Sequence, residues 1–353
     1  MKKIRVLVVE DSALMRRIIG DIITEHDELE LVATARDGLD ALKKIESVQL
    51  DVVTLDLEMP RLDGLQTLRK IMAANPLPVV MLSSHTSEGS QSTLKALEAG
   101  AVDFIAKPSK LSIEDSFEEL RSVLPQKIIT AASARVSRVI EEVRDPVKVK
   151  VADKAAVYHG KQEIARLVVA IGASTGGPKA LEAVLSALPA DLPAAILLSQ
   201  HMPPGFTSSF SQRLDMMSAL KIKEAEDGDR LLKGQVLVAP GGYHMVVNGG
   251  VVKLDSGPKV NFVRPSIDVM LDSLHSLDQK MMVVIMTGMG KDGASGAAAL
   301  KAGKKEAVMI AQQPSTALIP SMPEALIKSV TCDSIVPLGK LAEEINRFAR
   351  ILA

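Results

Sequence analysis

Three places in this sequence bring together residue types that do chemistry. The first is spread over the N-terminal hundred residues. Glu10-Asp11 closes one apolar run, Asp56 closes another in "LDLEMPRLDGL", Ser83 a third, and Lys107 a fourth, just before Pro108. Three carboxylates held together repel one another unless a cation joins them. Oxygen ligands with room for water suit Mg²⁺. Such a cluster can receive a phosphoryl group on a carboxylate. The metal neutralises the phosphoryl oxygens, Lys107 pairs with the charge, and Ser83 donates a hydrogen bond. The bland reading is a set of polar residues closing strands, but five matching positions on successive units fit a built site better.

The second place is "VVAIGASTGGPKAL", Val168 to Leu181. It is no dinucleotide loop, because Ser174 stands where G-x-G-x-x-G needs its second glycine. It does match G-x-S-x-G between a strand and a helix, the setting of a nucleophile elbow that exposes Ser174. A glycine-rich strand-to-helix connection has the same composition, so the pattern leaves both readings open. Pro178 suits the first turn of the following helix.

A serine nucleophile needs a base, and the base an orienting acid. Of six histidines, His201 directly follows the strand-like run "AAILLSQ", beside the strand of Ser174, with Pro203-Pro204-Gly205 breaking the chain after it, while the other five lack such flanking signals. It is the candidate base. The third place, "VVIMTGMGKDGASG", ends another strand in a glycine-rich loop carrying Asp292. Asp292 is either the orienting acid or the N-cap of the helix that begins at Ala294. The same loop fails the Walker A pattern, since Asp292 follows Gly290-Lys291 and Ile285 occupies the first glycine position. The order Ser, His, Asp also departs from that of α/β-hydrolases.

The elements that must hold these residues alternate. Strand-like runs fall at 4–9, 31–35, 52–56, 79–84 and 103–106, separated by helical spacings such as Leu14, Ile18, Ile22. That alternation means βαβ crossovers and a parallel sheet covered on both faces. A longer helical pattern runs from Ile113 to Val143, with Pro125 expected to kink or restart it. Residues 144–163 are charged, hold Pro146 and Gly160, and read as a linker. Strand-like runs resume at 167–171, 194–199, 235–239, 245–247, 251–254, 282–286 and 308–311, with Asn248-Gly249 as a hairpin turn. The expected organisation is an α/β domain over 1–143, the linker over 144–163, and a doubly wound α/β domain with a β-hairpin over 164–353.

Bulk properties narrow the function. A length of 353 residues favours two domains. The net charge of -1, the absence of Trp and the 2% aromatic content speak against nucleic-acid binding. No basic helix-turn-helix appears, which disfavours a DNA-binding regulator. The lone cysteine, Cys332, allows no internal disulfide and suits a reducing cytoplasm. No targeting peptide or membrane insertion is expected.

Two resemblances gather these readings. "VVEDS", "LDLEMPRLDG", "MLSS" and "DFIAKP" resemble the receiver domain of bacterial response regulators over about residues 1 to 125. The resemblance implies a flavodoxin-like fold, Asp56 as phosphoacceptor, and Mg²⁺ held by Glu10, Asp11 and Asp56. It implies Ser83 as switch hydroxyl, Lys107 as its paired lysine, Phe104 as rotameric aromatic, and a histidine kinase as phosphodonor. Glu10 is the longer acid where many receivers carry Asp. "IGASTGGP", "SQHMPPGFTSSF", "APGGYHM", "RPSIDVML" and "TGMGKDGASG" resemble the chemotaxis protein-glutamate methylesterases, also protein-glutamine glutaminases, over about residues 166 to 350. That resemblance implies Ser174 as nucleophile, His201 as base, Asp292 as orienting acid, the Met289 amide near the oxyanion and Thr175 beside the nucleophile. It implies chemoreceptors as substrate, no cofactor for ester hydrolysis, and an unphosphorylated receiver that restrains the esterase. Gln313-Pro314 departs from the acidic residue expected after the Gln. The competing reading is a receiver that switches a non-catalytic binding module.

Overall fold

The computed structural model describes residues 2–84, 86–108, 113–134 and 163–353. The chain divides into two compact units, Met1–Glu141 and Glu142–Ala353. The expected linker lies outside the described residues except for Glu163, as does the helical pattern from Val136 to Val143.

The first unit alternates strictly: β1 (Ile4–Val9), α1 (Ala13–Glu25), β2 (Leu29–Ala35), α2 (Gly38–Ser47), β3 (Val52–Asp56), α3 (Gly64–Ala74), β4 (Val79–Ser83), α4 (Ser87–Glu98), β5 (Asp103–Ala106) and α5 (Ile113–Ala132). The sheet order is β2-β1-β3-β4-β5 and every pairing is parallel, the flavodoxin-like arrangement. Val6–Val9, Val52, Val53 and Leu55 are buried on both faces, which is why these strands read as unbroken β-branched runs. The helices start on side chains that satisfy the free first-turn amides: Ser12 accepts from Met15 N, Asp37 from Asp40 N, Asp63 from Gln66 N and Thr86 from Gly89 N. α5 runs through Pro125 as one helix, so Pro125 does not restart it.

The second unit contains β6 (Leu167–Ala173), α6 (Gly177–Ala187), β7 (Ala195–Gln200), α7 (Phe206–Met217), β8 (Lys221–Glu224), β9 (Gln235–Val238), β10 (His244–Asn248) and β11 (Val251–Asp255). It continues with α8 (Ile267–Ser273), β12 (Lys280–Ile285), α9 (Ala294–Gly303), β13 (Val308–Gln312), α10 (Ser321–Ser329), β14 (Ser334–Val336) and α11 (Leu341–Leu352). Its parallel sheet has the order β14-β13-β12-β6-β7-β9-β8. The chain builds outward from β6 on one side, then returns to build outward through β12 on the other. The crevice beyond the carboxyl ends of β6, β7 and β12 is therefore the switch point where such sheets bind ligands.

Two strands escaped the sequence reading, β8 and β14. Both are short edge strands with half-exposed residues, so neither carries an apolar run. The hairpin β10–β11 is present, but its turn sits one residue later than expected. Asn248 pairs with Val251, and the turn is Gly249-Gly250, with φ of 59° and 79°. Two consecutive positive φ values are what a type I′ turn requires, and two glycines meet that need at least cost.

Candidate active site

In the second unit, the register of the central strands sets the spacing of the site. Ala173 pairs with Gln200 across β6 and β7, and Gly172 with Ile285 across β6 and β12. Ser174 and His201 are thus the first residues past two paired strand ends. Backbone bonds carry the ladder beyond the strands: His201 N donates to Ala173 O at 3.1 Å, and Ser174 N to Thr287 O at 3.0 Å.

Ser174 lies in the turn between β6 and α6, where the G-x-S-x-G pattern put it, without a positive φ. Among the described residues only Arg61, Asn261 and Phe262 are non-glycines with positive φ, and Ser174 is not one of them. Gly176 takes the left-handed conformation, at φ 77°, and opens α6. Gly205 and Gly293 open α7 and α9 in the same way. Space is tight beneath the serine. A Cβ on Gly177 would collide with Gln200 Oε1, and one on Gly288 would lie 2.7 Å from Ser174 Cβ.

His201 Nε2 lies 2.8 Å from Asp292 Oδ2. Asp292 is 3% exposed and accepts from Ile267 N at 2.6 Å, Ser266 Oγ at 2.9 Å, Asn261 Nδ2 at 3.0 Å and Asp268 N at 3.1 Å. Burial alone would raise its pKa, but the His201 bond and these amides outweigh it and hold the carboxyl below the usual range. An ionised Asp292 fixes the tautomer. Nε2 carries the proton and donates to Asp292, so Nδ1 is the ring nitrogen left with a lone pair. The structure thus joins His201 to Asp292, while among the described residues no hydrogen bond of the Ser174 hydroxyl appears.

Asp292 is a helix cap as well, but not of the helix expected. The N-cap of α9 is Gly293, without a side-chain bond. Asp292 instead accepts from the first two amides of α8, Ile267 N and Asp268 N, beside the N-cap Ser266, whose hydroxyl accepts from Val269 N. Asp268 on α8 returns the favour, accepting from Gly293 N at 2.9 Å and Gly296 N at 2.7 Å at the start of α9. The supporting residues Asn261, Ser266, Asp268, Gln200 and Gln312 were missed as site residues. Gln200 Nε2 donates to Ser174 O at 3.1 Å and His201 O at 3.0 Å. Gln312 Oε1 accepts from Thr287 N at 2.8 Å, and Thr287 Oγ1 donates to Thr175 O at 2.9 Å. The available signals were the blocks "RPSIDVML", which carries Ser266 and Asp268, and "SQHMPPGFTSSF", which carries Gln200. Thr175 is buried and Met289 sits in the loop between β12 and Asp292. Gln313 N donates to Val336 O at 2.7 Å, and Pro314 starts a 3₁₀ turn.

In the first unit, Glu10 follows β1, Asp56 ends β3, Ser83 ends β4 and Lys107 follows β5. Lys107 Nζ lies 2.7 Å from Asp56 Oδ1 and 2.9 Å from Glu10 Oε2. Burial, and then the Asp56 charge, push Glu10 up to about 7. Burial likewise raises Asp56. Burial works to lower Lys107, but the two carboxylates overcome it and raise the ammonium. Glu10, Asp11 and Asp56 each offer an oxygen within 4.8 Å of the others, and Asp56 Oδ2 is buried without a hydrogen-bond partner. An orphaned carboxylate oxygen among converging acids fits a hard cation such as Mg²⁺. Ser83 Oγ is engaged away from this cluster, accepting from Thr93 Oγ1 on α4 at 2.6 Å. Phe104 is buried, with Lys127 Nζ 5.6 Å from its ring centroid.

A flavodoxin-like unit followed by an α/β unit with Ser and His at adjoining strand ends and Asp in the loop beyond β12 has the layout of a response regulator with an enzymatic effector. Family comparison agrees. Residues 169–345 match the CheB methylesterase family and residues 6–114 the response regulator receiver domain. A protein-glutamate methylesterase/protein-glutamine glutaminase of Symbiobacterium thermophilum is 46% identical, over 98% of this chain and 97% of its own. One from Pyrococcus horikoshii is 45% identical, over 99% and 95%. The chain belongs to the CheB methylesterase family. Among solved structures, the Thermotoga maritima CheB methylesterase catalytic domain is 40% identical, covering 51% of this chain and 97% of that one, with a TM-score of 0.49. Among the described residues no helix is long and apolar enough to cross a membrane.

Proposed function

We propose that this protein removes methyl esters from chemoreceptor glutamates, and deamidates glutamines, under control of phosphorylation at Asp56. The contact of His201 with Asp292, at strand ends adjoining Ser174, is the observation that carries this reading. Ser174 Oγ attacks the ester carbonyl carbon and passes its proton to Nδ1 of His201. Asp292 stabilises the imidazolium that forms. The Met289 amide faces the developing oxyanion, with Thr175 beside the nucleophile. His201 returns the proton to the leaving methoxide, and methanol departs. Water then attacks the acyl-enzyme, giving a proton to His201, which passes it to Ser174 Oγ as the acyl bond breaks, so that glutamate and free Ser174 result. With a glutamine amide the same steps release ammonia.

Control enters through the first unit. Glu10, Asp11 and Asp56 would hold Mg²⁺, which supplies neutralising charge to a phosphoryl group. Asp56 accepts the phosphoryl from a histidine kinase, Lys107 pairs with its charge, and Ser83 and Phe104 report it by changing partners. The protein works in the cytoplasm, where kinase and receptor tails meet. The test is methanol release from a receptor cytoplasmic fragment carrying labelled methyl esters, with and without acetyl phosphate and Mg²⁺. Faster release with both, lost in D56N, supports the reading. Equal rates with and without phosphodonor refute the control, and no release at all leaves a binding module.

A further inference from the structure

We propose that Asn261 is a positioning residue of the esterase, holding Asp292 in its working orientation by bridging it to Asp268. The inference rests on the triad reading above. One nitrogen, Asn261 Nδ2, lies 3.0 Å from Asp292 Oδ1 and 3.0 Å from Asp268 Oδ2. An amide nitrogen carries two hydrogens, one for each carboxylate. Both neighbours can only accept when ionised, so the nitrogen and not the oxygen must face them.

The backbone around Asn261 is costly to maintain. Asn261 and Phe262 have φ of 53° and 65°, inside a turn closed by reciprocal bonds between Val260 and Val263. Asn tolerates this conformation, but Phe does not do so readily, and Phe262 is 94% exposed with no burial to offset the strain. Strain of this kind persists where the surroundings impose it, which directs attention to what the turn places. It places the Asn261 amide between two buried carboxylates, each of which caps the other's helix. Asp292 accepts from the first amides of α8, and Asp268 from those of α9.

Without the bridge, two neighbouring carboxylates face each other with one fewer donor between them. The pair then favours an extra proton, on a carboxyl or on His201. Either outcome disables the base at low pH. The other charged groups nearby are committed or remote. His244 Nδ1 accepts from Ser266 N at 3.1 Å and so carries no proton, Arg264 donates to Ser256 O and Gly257 O, and Lys291 is exposed.

The test uses the full-length chain and methanol release from a methyl-labelled receptor cytoplasmic fragment. Wild type, N261A, N261D, F262G and S174A are compared across pH 5.5 to 9. Asn261 is exposed on a turn, so its variants fold, and circular dichroism checks this. N261A lowers kcat by about tenfold to hundredfold with KM within about twofold. The acid limb of kcat moves up in N261A, and further in N261D, by about one pH unit. F262G relaxes the turn but keeps the amide, and retains the wild-type limb. A uniform loss in N261A with an unmoved limb overturns the proposal, as does a shift in F262G equal to that of N261A. Activity retained in S174A would instead refute the triad reading itself.

Discussion

Replacing Gly288 with Ala tests how the nucleophile is held. Gly288 is not in the left-handed region, so Ala is admissible to the backbone and only space is at issue. The added Cβ would fall on Met322 Sδ and lie 2.7 Å from Ser174 Cβ and 3.0 Å from Ser174 N. Met322 is buried, at 1% exposure, and cannot swing into solvent. Gly288 itself is held from both sides, its N donating to Ile319 O at 3.0 Å and its O accepting from Met322 N at 3.2 Å. Carbon atoms need about 3.5 Å or more between them. Relief therefore displaces Ser174 by up to about 1 Å, an overpacking cost of about 1–3 kcal/mol. A misplacement of about 1 Å at reacting atoms costs about a hundredfold in rate. The assay pairs methanol release with urea unfolding. G288A should lose about 10²-fold in kcat while remaining folded. A variant with wild-type stability and kcat within about twofold would refute the claim that this contact sets the serine.

G177A should also fold and lose about tenfold or more in kcat, because its Cβ drives into Gln200, whose amide holds the Ser174 and His201 carbonyls. Full activity would show that Gln200 is dispensable. D56N should retain basal methanol release and gain nothing from acetyl phosphate with Mg²⁺. Normal activation would place the acceptor elsewhere. Glu10 makes the metal-free first unit pH-sensitive. Its folded pKa, about 7, lies above the ordinary 4.5, so the folded state keeps a proton that the unfolded chain releases. Stability then falls as pH rises through that window, by about 3 kcal/mol in all. Urea unfolding at pH 5 and pH 8 should show a weaker dependence in E10Q than in wild type, with Mg²⁺ offsetting the loss at pH 8 in wild type. Identical slopes would contradict the burial argument.

The placement of Ser174, His201, Asp56 and Lys107 was legible because strand ends in parallel sheets are marked by the break from apolar runs to polar or glycine residues. The edge strands β8 and β14 were not, since half-exposed strands of this length have no apolar run to mark them. Asp292 showed why a local rule can name the right device and the wrong helix. Its cap is made across the fold, to α8, and no spacing along the chain encodes that. Asn261 and Gln200 are silent for the same reason, being functional only through partners distant in sequence. The G-x-S-x-G pattern marked the strand-to-helix turn that carries Ser174, but a motif of small residues does not say which one takes the left-handed conformation, here Gly176.

The central claim is that Ser174 is the nucleophile of a methylesterase. Methanol release from the methyl-labelled receptor fragment by S174A, against wild type at equal concentration and with acetyl phosphate and Mg²⁺ present, tests it most directly. The expected result is a loss of about 10³-fold or more, with the fold and phosphorylation at Asp56 intact. A rate within about tenfold of wild type would contradict it.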